Sequence, residues 1–201
     1  MLRRLALLAC AALAVPVCLA QTKVEAADLA HHPFSTDFAS GGKLKLKVRS
    51  GDIRILGTDE EKISVELSGR RADEARDVFK VRFEQTSAGA EMKISGGPKN
   101  ELTITVRIPA KTDLYARVPA GEVLVRGMTG NKDIEIHAGE LHIEVGDSAD
   151  YSHVDASVLT GDLEASPFGE HHGGLFRSFK KEGTGRYRLH AHVGAGELVL
   201  N

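Results

Sequence analysis

The chain has no tryptophan, only three tyrosines, and two cysteines, Cys10 and Cys18, both near its start. Each scarcity excludes something. Removal of the opening segment would leave no cysteine, so neither a disulfide framework nor a thiolate metal shell is available to the rest. Aromatic residues at 5% argue against a broad stacking platform for carbohydrate. Helical pattern is equally rare: one stretch, Ala72 to Lys80, combines Ala, Glu and Arg without Gly or Pro.

The opening is a positive start, Met1-Leu-Arg-Arg4, followed by an apolar stretch from Leu5 to Ala20 and then the polar Gln21. That order describes a signal peptide over residues 1–20, cut after Ala20, and it is too short and alanine-rich for a membrane span. A lipid anchor is not expected. Cys10 has too short an apolar region before it, and Cys18 follows proline and valine where small residues are wanted. Cleavage would leave 181 of the 201 residues, enough for one domain with its own core. Loss of Arg3 and Arg4 takes the basic count from 26 to 24 against 28 acids, a formal charge of −4 that disfavours nucleic acid. The expected address is periplasmic or extracellular.

The remainder divides into a linker or strap at 21–38 and a β domain at 39–201. The domain is organised by an eight-residue phrase: an apolar residue, a spacer, a small residue, glycine, an acid, then two inward-type residues around a spacer. Copies begin at Val48, Val118, Ile136, Val158 and Val193, with glycines at Gly51, Gly121, Gly139, Gly161 and Gly196. Gly121, Gly139 and Gly161 stand 18 and 22 residues apart, about one turn of a β-solenoid. Glycine reaches the positive φ of a sharp bend, and the apolar pairs that follow it, such as Val123/Val125 and Leu141/Ile143, point the same way. Stacked rungs would bury those pairs in a ladder. The expected fold is therefore all-β, with solenoid-like stacked strands of right-handed β-helix character and one short helix; a β-sandwich is the alternative.

Lys43 to Arg49 alternates without a fault, placing Leu44, Leu46 and Val48 on one face and four cations on the other. The cationic row suits an acidic polymer or anionic lipid heads. It also suits a solvated face, or an edge strand kept from pairing.

The glycine–acid repeats, the Leu102–Ile108 strand before Pro109, and the closing Gly173–Phe179 and Tyr187–Leu198 segments together resemble a bacterial domain-of-unknown-function family labelled "putative adhesin". The resemblance covers Phe38 to Asn201. It implies an exported all-β domain with stacked strands and no known catalytic residues.

Four constellations bear on chemistry. Gly146-Asp-Ser148, with Asp150 and His153, matches the residue types of a serine hydrolase, yet all of it lies within one turn and lacks the surrounding α/β elements. His190 and His192 lie two apart on one strand face, and His171 in a glycine-rich loop could complete a zinc shell; His137 and His142 alternate with apolar residues as exposed positions would. Glu122, Glu140 and Asp162 would stack on neighbouring rungs, where calcium could bridge them, but the dense glycine repeat of a calcium β-roll is missing. Phe176 and Phe179 suit the cover of an open end of the stack, or else a lip that touches a membrane or a partner. The expectation is a non-enzymatic envelope protein without cofactors that binds a partner protein or polymer. The alternatives are a metal-dependent binder or enzyme built on the strand histidines, and a self-associating scaffold.

Overall fold

A computed structural model describes residues 22–26, 33–76 and 78–201. The segment expected as a signal peptide lies outside the described residues. Among the described residues no helix is long and apolar enough to cross a membrane.

The fold is all-β, a single mixed sheet of thirteen strands with one short helix. In chain order the strands are β1 (Thr22–Ala26), β2 (Phe34–Asp37), β3 (Lys43–Val48), β4 (Gly51–Thr58), β5 (Lys62–Ser68), β6 (Lys80–Thr86) and β7 (Gly89–Ser95). There follow β8 (Thr103–Pro109), β9 (Asp113–Arg126), β10 (Lys132–Ile143), β11 (Tyr151–Ala165), β12 (Glu170–Glu182) and β13 (Tyr187–Leu200). The main path runs β1-β6-β7-β3-β9-β10-β13-β11-β12 and does not close; β4, β8, β5 and β2 branch from the second half of β9.

The repeat glycines lie in one line. Gly51 pairs with Gly121, Gly121 with Gly139, Gly139 with Gly196, and Gly196 with Gly161. Each has a positive φ, between 122° and 146°, so every long strand bends at the same level into a first and a second arm. The bend also shifts the alternation. In β9, Leu114, Ala116 and Val118 are buried before it, and Val123 and Val125 after it. Both arms therefore turn their apolar residues toward one interior, where Val118, Ile136, Val193 and Val158 form one cross-strand row and Val123, Leu141, Leu198 and Leu163 another. Burial of each such side chain contributes about 1.5–3 kcal/mol. Ile136 sits fully enclosed between Val118 and Val193. Ile136→Ala is expected to lower stability by about 2–5 kcal/mol, read as a fall in the urea midpoint at unchanged slope.

Three expectations need correction. Rungs do not stack in chain order: β13 inserts between β10 and β11, parallel to both, and β12 folds back antiparallel on β11. The insertion is stapled at its start by Asn131, whose amide donates to Asp113 Oδ1 at 2.7 Å and whose Oδ1 accepts from the Arg188 amide at 2.8 Å. The 21–38 segment, expected as linker or strap, contains two strands, because β6 and β5 offer edges to β1 and β2, and Phe34 drops into the core 6.1 Å from the Phe83 ring. The helix α1 covers Ala72–Arg76 and stops short of Lys80, since Phe79 is drawn fully into the core.

The aromatic pair of β12 splits by strand parity. Phe179 is buried beside Phe168, ring centroids 5.5 Å apart, and closes the end of the core. Phe176 points outward, 77% exposed, with a φ of 54°.

Candidate functional site

On the first arms, the residues between the buried ones face outward, and register aligns them in transverse rows with about 4.8 Å between strands. One row holds Glu84, Glu91, Lys45 and Tyr115 on β6, β7, β3 and β9, and continues through Asp133, His190, Asp155 and Lys180. The next holds Arg82, Lys93, Lys47 and Arg117 on the same four strands, then Glu135, His192, Ser157 and Ser178. An open groove of about 1150 Å3 lies over the first row, between Lys45 and Tyr115 at one side and Asp155 and His190 at the other. A smaller hollow of about 340 Å3 adjoins the second, lined by Lys47, Arg49, Lys93, Arg117 and His137.

Arg117 organises the centre. Its guanidinium lies 3.5 Å from the centroid of the Tyr115 ring, with the Lys45 ammonium 5.9 Å from the same ring. One terminal nitrogen stands 2.8 Å from both Asp133 Oδ1 and Glu135 Oε1, while the other donates to the carbonyls of Ala116 and Asp133. His190 Nε2 is 3.8 Å from Glu135 Oε1. Asp133, Glu135 and His190 thereby bring three ligand-type atoms within 4.8 Å of one another, the one such group among the described residues. The guanidinium already occupies the position between the two carboxylates that a metal would take. The cluster is a neutralised anchor that holds Tyr115 in place at the groove wall.

Two further groups shape the electrostatics. The Lys47 ammonium donates to Glu91 Oε1 at 2.8 Å, which raises the lysine and lowers the carboxyl from their ordinary ranges. Lys132 stands at an inward position and is only 2% exposed. Its ammonium donates to Tyr151 Oη at 2.7 Å and to the Gly130 carbonyl, and the Tyr151 hydroxyl donates to the Val145 carbonyl. Burial lowers Lys132 to about 8, against an upward pull from Asp150, and raises Tyr151 to about 12.

The residues singled out in the sequence are dispersed. His190 joins the Arg117 cluster, whereas His192 shares a hydrogen bond of 2.9 Å with Ser157 Oγ. His171 lies beyond the bend of β12, opposite Glu164, so it shares no site with them. His142 stands on a second arm, 3.7 Å from Glu140, and His137 is exposed near the bend. Ser148 sits in a short turn capped by the Asp147 side chain, and His153 pairs with Glu182 at 2.7 Å instead of with the serine. Glu122, Glu140 and Asp162 do fall in one register line, with Glu197 between the latter two. Nothing in the sequence alone singles out Tyr115, Arg117, Asp133 and Glu135. Their strand positions were legible as outward-facing, but their meeting depends on register between segments distant in sequence.

No family model matches the chain, and neither does any curated protein. Among solved structures, it is similar to a "putative cell adhesion protein" from Clostridium sporogenes ATCC 15579, with a TM-score of 0.51 at 13% identity, over 84% of this chain and 99% of that one. At that identity the likeness shows a shared fold alone, and it leaves the adhesin-type family resemblance of 38–201 without a family match.

Proposed function

We propose that this chain is a non-enzymatic, exported binding domain that presents the outer face of its first arms to a partner at the cell envelope. The observation that carries the reading is the groove of about 1150 Å3, walled by Tyr115 with its ring held by Arg117. An aromatic face fixed by an ion-paired guanidinium offers a rigid, amphipathic contact at little entropic cost. The adhesion name carried by the distant structural neighbour agrees with a display role. So does a solenoid-like reading of β9 and β10, in which each bent strand and its return turn form one coil of a stiff stack.

The test has two parts. Cells producing the full chain should yield it processed after Ala20 in the envelope fraction or medium, as read by intact mass. The purified product should bind envelope fragments saturably, and Tyr115→Ala should weaken that binding about tenfold, in line with the loss of a desolvated aromatic and cation contact. An unprocessed cytoplasmic chain, or Tyr115→Ala binding equal to wild type, would refute the proposal.

A further inference from the structure

Arg82, Lys93, Lys47 and Arg117 set four cations abreast on adjacent strands, and like charges directly opposite one another destabilise a sheet. At about 4.8 Å per strand the row is roughly 14 Å long. Edge protection does not account for it, because β3 and β7 are interior strands paired on both sides. Lys47 has Glu91, Arg117 has Asp133 and Glu135, and Arg82 is engaged as well. Lys93 makes no ion pair within 4 Å among the described residues, although its charge helps to hold Glu91 below the ordinary carboxylate range.

Arg49 adds an independent observation. Its terminal nitrogens donate to the carbonyls of Ser50 and Pro98, its buried Nε has no hydrogen-bond partner, and no carboxylate among the described residues forms an ion pair with it. Burial lowers this guanidinium from its ordinary range. Arg49 and Lys93 meet at the hollow of about 340 Å3, with Lys47 and Arg117 beside them and Glu135 as its one acid.

We propose that this hollow, with Lys93 at its rim, seats one anionic group of a linear acidic polymer, a chain with repeating carboxylate, sulfate or phosphate groups. The inference rests on the reading of this outer face as the binding face, and it names the class of partner. A flat anionic membrane fits less well. The neighbouring row, roughly 7 Å away, carries Glu84, Glu91, Asp133 and Asp155, which a plane pressed on the face would meet together with the cations. A single chain lying along the cationic row avoids them.

The experiment measures binding of the purified full chain to sulfated dextran, polygalacturonate and linear polyphosphate, with neutral dextran and phosphatidylglycerol vesicles as the contrasting arms. At least one acidic chain should bind, more weakly as salt rises, and Lys93→Glu should lower that affinity tenfold or more with an unchanged thermal unfolding curve, since the side chain is exposed. Lys47→Glu/Lys93→Glu should abolish it. Binding to none of the acidic chains, equal binding of neutral dextran or of the vesicles, or variants that bind like wild type would each overturn the proposal. So would wild-type polymers in sedimentation that Lys93→Glu disperses without any acidic chain being bound, which would give the row to a second copy. Envelope binding that survives Lys47→Glu/Lys93→Glu but is lost in Tyr115→Ala would overturn this inference and leave the broader function standing.

Discussion

Alanine at Gly139 is expected to abolish the native fold instead of weakening it by degrees. A Cβ at this position would stand 2.0 Å from the carbonyl oxygen of Gly121, and the residue holds a φ of +122°. The obstacle is backbone on the neighbouring strand, itself locked by pairing on both sides, so no side chain can swing away to make room. Relief would require parting β9 from β10 at the bend, which removes ladder hydrogen bonds and opens the apolar rows on both arms. That exceeds about 4–5 kcal/mol, a large share of the roughly 5–15 kcal/mol that holds a domain together. Gly146→Ala is the control: its φ is +76°, but a Cβ there would meet nothing within 4 Å, so only the conformational cost of about 1–2 kcal/mol applies. Circular dichroism and urea unfolding of the two variants should separate sharply. Similar midpoints would mean that the glycine line is not the hinge of the stack.

Lys132→Met is expected to stabilise the protein at neutral pH. Lys132 titrates near 8 in the fold and near 10.5 when exposed, because burial disfavours its charged form. The folded value is the lower one, so the unfolded chain binds more protons between those limits and stability rises with pH across them. The stability this group supplies is fully present above 10.5 and is lost as pH falls through 8. At 1.36 kcal/mol per unit the charge costs about 3 kcal/mol at pH 7, and the bonds to Tyr151 and Gly130 lost in the variant return about 1 kcal/mol of that. The net gain is about 2 kcal/mol at pH 7, shrinking as pH rises toward 10. Tyr151 works in the opposite sense, since its stabilisation is present below 10 and lost as pH rises through 12, so the clean window is pH 8 to 10. Urea unfolding of wild type and variant at pH 7 and pH 10 checks both sign and slope; a variant less stable than wild type at pH 7 would show that the hydrogen bonds outweigh the buried charge.

The sequence made the bends legible because the repeated phrase marks where backbone meets backbone, and in-register Gly51, Gly121, Gly139, Gly196 and Gly161 follow from that requirement. Strand order was not legible. The copies in β10, β11 and β13 carry nearly the same phrase, so each fits beside either of the others, and the choice is made outside the phrase by contacts such as Asn131 with Arg188. The face proposed for binding was hidden for a related reason. Arg82, Lys93, Lys47 and Arg117 come from four separate strands, and only register sets them abreast. Lys132 was within reach of sequence reasoning, since the alternation through Ile134 and Ile136 assigns it to the inward face, where a lone cation is an anomaly.

The place of β13 has a consequence for how this molecule comes into being. Tyr187–Leu200 bridges β10 to β11, so a chain leaving the ribosome amino end first has two unjoined half-sheets until that segment arrives. Pairings between β3 and β9 can form early, but the wedge that unites the two halves comes afterwards, and such long-range closure is slow. Late assembly of this kind leaves the centre of the sheet open until Tyr187–Leu200 has emerged.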